Sequence, residues 1–300
     1  MPMTVSTHGR QHAALIHIAK RDSIHPLKAA LIRVAAIILA LLVCAVVINS
    51  VTGLNPLKVY MGVIDGAMGP PRRTWVTIRD ALVLLCVAIG LTPAFKMHFW
   101  NIGAEGQILV GAIASAALMI NASTLPGWLL LPLMFLASMI AGMIWGVIPA
   151  FFKAHWNTNE TLFTLMMNYI ATQLVTFCVV FWENPAGSNS VGVINPATKA
   201  GWLPALFGQT YGWNCVIVLT LMVLMYVYLK YSKQGYEIAY VGQSESTARY
   251  AGISVKKVIM RTMAISGAVC GIAGFILVSG ASHTISTTLS GGRGFTAIRV

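Results

Sequence analysis

Charge is scarce in this chain. Eight acidic and twenty basic residues carry all the formal charge in 300 positions, 9% of the sequence, where soluble globular chains hold roughly 25%. That is too little to coat a water-facing surface, which excludes a soluble enzyme. The 57% hydrophobic content excludes a disordered chain. Cysteine pairing is lacking as well. Cys44, Cys86, Cys178, Cys215 and Cys270 form no CxxC and no ligand-spaced set with histidine, so neither disulfides nor a metal site is expected. GxxxxGK[ST], GxSxG and HExxH are absent, and no nucleophile–base pair falls in an apolar run. The chain is therefore expected to perform no covalent chemistry, to hold no cofactor and to bind no ATP itself. Gly291-Gly-Arg-Gly294 follows no strand, which makes it a poor nucleotide signal.

What the sequence has is long apolar runs. A helix needs about 20 apolar residues to cross roughly 30 Å of hydrocarbon. Runs of suitable length cover Leu31–Val51, Ala81–Phe95 (short, and interrupted by Thr92-Pro93), and two stretches within the charge-free Gly106–Phe152 divided at Asn121–Gly127. Three more cover Thr161–Trp182, a run ending near Leu229, and Thr262–Ala281. The expectation is an all-α polytopic membrane protein of about seven transmembrane helices. A net charge of +12 invites a nucleic-acid reading, but the basic residues fall in short clusters between apolar runs. Membrane lipid is thus the expected partner and nucleic acid is not. Residues 1–30, with four histidines and no AxA-like site after the first run, read as a retained cytoplasmic arm, and 31–300 as the transmembrane domain. With the amino terminus inside, Lys96, Lys153 and the Lys230–Arg261 cluster face the cytoplasm and the 183–212 loop faces out. A basic first loop with Lys58, Arg72, Arg73 and Arg79 violates that rule.

Polar groups at bilayer depth ask for a reason. Glu105 sits in Trp100-Asn-Ile-Gly-Ala-Glu-Gly-Gln107, a density of glycine and polar side chains that suits a discontinuous helix. An interfacial cap on the following helix is the plainer alternative. Glu160, Thr164, Asn168 and Thr172 recur every four residues and share one helix face, which either glues helices or lines a pathway. Ser138, Gly142 and Gly146, and likewise Gly267, Gly271 and Gly274, are small residues at helical spacing and signal close packing. Between the last two runs, Ser244 or Ser246 can cap a short helix through Thr247-Ala-Arg-Tyr-Ala251 that Gly252 ends. Its small residues suit docking better than lying on lipid.

Four of these stretches, in order, are similar to a known family: Asn101–Gln107, Asn159-Glu160 with Thr164–Ala171, Ala248–Ile253, and Ile265–Gly267 with Gly271–Gly274. From about residue 30 onward the chain resembles permease subunits of bacterial ABC importers, in the simple-sugar/nucleoside branch that works with basic-membrane-protein lipoproteins. The resemblance implies a multi-pass inner-membrane protein that pairs with a second, related permease. It implies cytosolic ATP-binding subunits as the motor and an extracytoplasmic lipoprotein that delivers solute. Residues 235–258 then form a cytoplasmic coupling loop in which Thr247, Ala248, Arg249, Tyr250, Ala251 and Gly252 contact the ATPase. Asn101, Glu105, Gln107, Asn168 and Tyr169 look like pathway residues for a nucleoside or purine-like solute, a simple sugar being the alternative. An ion-coupled carrier using Glu105 is the rival from another class. Family members continue for several crossings beyond the motif matched by Gly294-Phe295, so the chain is expected to be truncated relative to them.

Overall fold

The computed structural model describes residues 25–206 and 208–299, and the first 24 residues of the expected basic arm lie outside them. Among the described residues no strand forms, and helices follow one another along the chain. They are α1 (Pro26–Thr52), α2 (Pro56–Met68), α3 (Pro71–Lys96), α4 (Ala104–Asn121), α5 (Gly127–Trp156) and α6 (Glu160–Phe181). After a long connection come α7 (Gly212–Tyr231), α8 (Lys233–Gln243), α9 (Glu245–Tyr250), α10 (Val255–Leu277) with a π-helical turn Val278–Ser282, and α11 (Arg293–Ala297). Seven are long and apolar enough to cross a membrane: α1, α3 to α7, and α10 with its π turn. The expected all-α, seven-span architecture is met.

Two compact units divide between Ala67 and Met68. In the first, α1 has no buried residue among those described, and Tyr60 of α2 donates its hydroxyl to the Leu41 carbonyl at 2.6 Å. The second unit holds the remaining helices around α10, the most deeply buried span. Two expectations need correcting. The basic first loop is helical: residues 56–68 form α2, and Arg72, Arg73 and Arg79 lie on α3. Pro71 occupies its first turn, where a missing N–H leaves no bond unmade. Nor does Thr92-Pro93 break the second run. Pro93 lies inside α3, which continues through it to Lys96 without the proline's own N–H bond, and Thr92 donates its hydroxyl to the Ala88 carbonyl at 2.8 Å.

The small residues act as their spacing foretells. A Cβ on Gly142 would meet the Gly267 carbonyl, and one on Gly271 the Ser138 carbonyl, so α5 and α10 touch backbone to backbone. At the same residue α4 also closes in: a Cβ on Gly111 would lie 2.6 Å from the Gly271 Cα. Lipid gives helices no hydrophobic reason to associate, so this close approach supplies the dispersion contacts that hold them.

The 183–212 connection is more ordered than its composition suggests. Asn195 donates Nδ2 to the Met119 carbonyl at 2.7 Å, Trp202 donates Nε1 to the Ile194 carbonyl at 2.9 Å, and Leu203 donates its N–H to the Ser279 carbonyl at 3.0 Å. The Ile194 N–H donates to the His283 carbonyl at 2.8 Å, and the His283 ring stacks on Trp202 at 3.8 Å. His283 Nδ1 is buried without a partner among the described residues. Burial pushes its imidazole below the ordinary value. A histidine lowered in the folded state contributes stability that is complete above the usual imidazole value and is lost as pH falls toward the folded one. Acidification from about pH 7.5 to about pH 5, which brackets that usual value, should therefore lower the protection factors at Ile194 and Leu203, that is, exchange relative to the intrinsic rate at each pH. His283→Phe keeps a ring for the stack and should abolish the dependence. Equal pH dependence in both proteins would rule His283 out.

Candidate functional site

The chain between α3 and α4 turns inward. Phe99 donates its N–H to the Ala94 carbonyl at 3.0 Å, which folds the segment back onto the end of α3. Asn101 follows, fully buried. Its Oδ1 accepts from the Gly103 N–H at 3.0 Å and from Gln107 Nε2 at 3.4 Å. Its Nδ2 donates to Ser266 Oγ of α10 at 3.2 Å and to Gln107 Oε1 at 3.4 Å. One side chain thus joins the start of α4 to the centre of the unit.

The polar face of α6 grips the same segment. Asn168 accepts from the Gly106 N–H at 2.8 Å and donates to the Ile102 carbonyl at 2.9 Å. Thr164, one turn earlier, accepts from the Ile102 N–H at 3.3 Å. A carboxamide is suited to this task because it offers a donor and an acceptor side by side, and both orphaned backbone groups of a broken helix are satisfied at once. Glu160, at the end of this face, pairs with Lys153 at 2.9 Å and lies outside the cluster. The Trp145 indole N–H is buried against Gly106 without a partner among the described residues. Tyr169 is not part of the cluster. It points away from it and is 68% exposed.

Glu105 has a different set of partners, and the sequence did not disclose them. Its carboxylate accepts from the Gly292 N–H at 3.0 Å and the Gly294 N–H at 2.7 Å, at the start of α11. Gly292 has φ +70°, and a Cβ on Gly294 would overlap the Glu105 backbone, so the glycine run is a nest shaped to one carboxylate. Arg293, between them, pairs with Asp80 of α3 at 3.0 Å, and Asp80 also holds Arg79 at 2.9 Å. Arg79 in turn lies over the Tyr211 ring at 5.3 Å. Part of the apparent charge violation is therefore an internal ion cluster. Consecutive residues 293 and 294 thus touch Asp80 of α3 and Glu105 of α4. The clues were the glycine run and an isolated Asp80, but nothing in the sequence links them to residue 105.

At the other end of the unit, α9 takes the expected form. Ser244 caps it, accepting from the Thr247 N–H at 3.3 Å. Arg249 pairs with Glu245 at 3.4 Å, and Gly252 follows the helix with φ +79°. Ala248 is buried beneath it, while Tyr250 is 96% exposed. α8 was not anticipated as a helix. It is seated where a Cβ on Gly242 would meet the Lys96 carbonyl. Ala248, Ile238, Phe99 and Met263 share one apolar cluster. That cluster is continuous with the polar one, since Phe99 lies two residues before Asn101 and Met263 one turn before Ser266.

Residues 76–299 match the family described as "Branched-chain amino acid transport system / permease component". The chain belongs to this family. Among relatives of this permease chain, the guanosine ABC transporter permease protein NupP of Bacillus subtilis is 31% identical over 81% of the chain and 70% of the relative. The nucleoside ABC transporter permease protein NupB of Lactococcus lactis is 27% identical over 82% and 70%. The glucose ABC transporter permease protein TsgB13 of Haloferax volcanii is 30% identical over 76% of the chain, but the match spans only 62% of that relative's length. No solved structure gives a significant match. Membership in a permease family and seven apolar helices among the described residues together make the chain a multi-pass membrane protein.

Proposed function

We propose that the chain is the permease subunit of an ATP-driven importer in a bacterial inner membrane, carrying a nucleoside or purine-like solute. Its amino terminus and basic arm (1–30) lie in the cytoplasm, residues 31–300 form the membrane domain, the 183–212 loop faces outward, and 235–258 is the coupling loop. Its partners are a cytosolic ATP-binding subunit, a second permease and an extracytoplasmic solute-binding lipoprotein. The observation that carries this reading is α9: Tyr250 and Arg249 are exposed on a helix whose base shares a core with the segment leading to Asn101. A push on Thr247–Gly252 is thereby transmitted to the broken start of α4 through packed side chains and hydrogen bonds, as coupling between two states requires.

The solute passes between two permeases, so a residue that lines the path is exposed in either one alone. Tyr169 meets that condition and offers an aromatic face to a base. Asn101, Gln107 and Asn168 spend their hydrogen bonds on one another, on Ser266 and on backbone, and stand behind the pathway as the groups that shape its wall. Glu105 braces the same wall through α11. Its engagement with two backbone N–H groups disfavours an ion-coupled carrier that binds its cation there. A simple sugar is the second reading, favoured by the similarity to a glucose permease. Uptake of labelled guanosine by cells expressing the complete importer, competed with unlabelled guanosine or glucose, separates the two. Importer-dependent uptake of labelled glucose with no uptake of labelled guanosine would reject the nucleoside.

Arg249→Glu tests the coupling. The assembled importer should lose at least about tenfold in solute-stimulated ATP hydrolysis, because a reversed charge at a docking contact costs far more than a lost one. The amount of permease in the membrane should not change, since the Arg249 side chain is exposed. Normal stimulation in this variant would remove α9 from the coupling role.

A further inference from the structure

Between α3 and α7 lies a furrow of about 460 Å3. Ile89, Met222, Met225 and Leu229 give it an almost wholly apolar wall, and Lys96 and Lys230 stand at the end where both helices finish. No carboxylate lines it among the described residues. Lys230 Nζ is held against Tyr226, hydrogen-bonded to the hydroxyl at 2.7 Å and 5.1 Å from the ring centre. This keeps the ammonium beside the furrow. Both lysines are exposed, and α3 and α7 are long and apolar enough to cross a membrane; on the membrane topology proposed above, the furrow runs along the hydrocarbon and the lysines stand at the headgroup layer.

We propose that this furrow is a site for one anionic phospholipid, with an acyl chain along Met222 and Met225 and the phosphate between Lys96 and Lys230. Charge complementarity selects the occupant. An apolar slot that ends in two cations with no counter-charge is filled completely by an anionic headgroup and its chain. A neutral helix laid in the same slot would leave both ammonium groups uncompensated at its end. The site also bears on α8, since the Lys96 carbonyl is where Gly242 is seated. A bound headgroup therefore fixes the terminal turn of α3 on which α8, and next to it α9, rests.

The test uses the full chain in mild detergent, with bound lipid read by native mass spectrometry. Palmitoyl-oleoyl phosphatidylglycerol should be retained over phosphatidylcholine of the same chains by about thirty-fold, the expectation for two cations at a headgroup. Lys96→Gln with Lys230→Gln should erase the preference. Met222→Trp keeps both lysines but fills the slot, and should lose phosphatidylglycerol altogether. Equal retention of the two lipids by the unaltered chain would overturn the proposal without recourse to any variant. Displacement by inorganic phosphate, or equal retention of dihexanoyl phosphatidylglycerol, would reassign the lysines to a free anion and overturn it too. A disulfide-linked dimer through Met222→Cys in native membranes would give the furrow to a second copy, with the same consequence.

Discussion

Gly271→Val should remove the folded protein from the membrane and not merely slow it. A Cβ at this position overlaps the Ser138 carbonyl of α5, and Gly142 Cα is only 3.1 Å away. Neither neighbour is a side chain that could rotate aside, so α5 and α10 must separate. The Gly142–Gly267 contact is then lost with them, and so is the approach of Gly111 from α4. Overpacking of this kind costs about 3 kcal/mol or more when backbone must move, a large fraction of the roughly 5–15 kcal/mol that holds a typical domain together. Gly271→Ala should fall between valine and the unaltered chain. Gly127→Ala is the control on α5, because a Cβ there meets nothing within 4 Å. The check is thermal unfolding in detergent followed by size-exclusion chromatography. A Gly271→Val protein as stable as Gly127→Ala would show that the helices are held by something other than this approach.

That contact could be foreseen because it is written in periodicity. Small residues at every fourth position mark a face, and in a membrane such a face has one common use. The spacing of Thr164 and Asn168 on α6 likewise marks a face, although their partners Ile102 and Gly106 lie more than sixty residues away, while the Ser244 cap of α9 is fixed by a neighbour within a turn. The helix α2 was hidden because its proline and lysine, with Pro70 and Pro71 just beyond it, look like a loop, while Pro at a first helical position is compatible with either state. Tyr169 shows a limit of another kind. Adjacency to Asn168 in sequence suggested adjacency in space, but consecutive residues on a helix diverge by about 100°. The partners of Glu105 and Asp80 were beyond reach for a simpler reason. They lie 187 and 213 residues away, and no local pattern encodes which distant turn will close on a given carboxylate.

Glu105→Gln is the sharper experiment on that carboxylate, since it preserves shape and removes charge. The ionised side chain accepts two backbone N–H bonds from Gly292 and Gly294, one at each oxygen. The amide retains one acceptor, and its NH2 must face a second N–H, donor against donor. One buried donor is left unsatisfied and one charge-assisted bond becomes a neutral one, at a cost of about 2–4 kcal/mol. The loss falls on α11, which lies outside the α5–α10 glycine contact, so the protein should still assemble. Amide exchange at Gly292 and Gly294 should rise by at least about tenfold, as 1.4 kcal/mol of lost protection per decade requires, and solute uptake should fall with it. Gly294→Ala attacks the same joint from the other side, where the new Cβ would overlap the Glu105 backbone. Because both changes break one joint, their combination should cost less than the two added separately. Additive losses, or unaltered exchange and uptake in Glu105→Gln, would mean that α11 is held by Asp80 and Arg293 without help from Glu105.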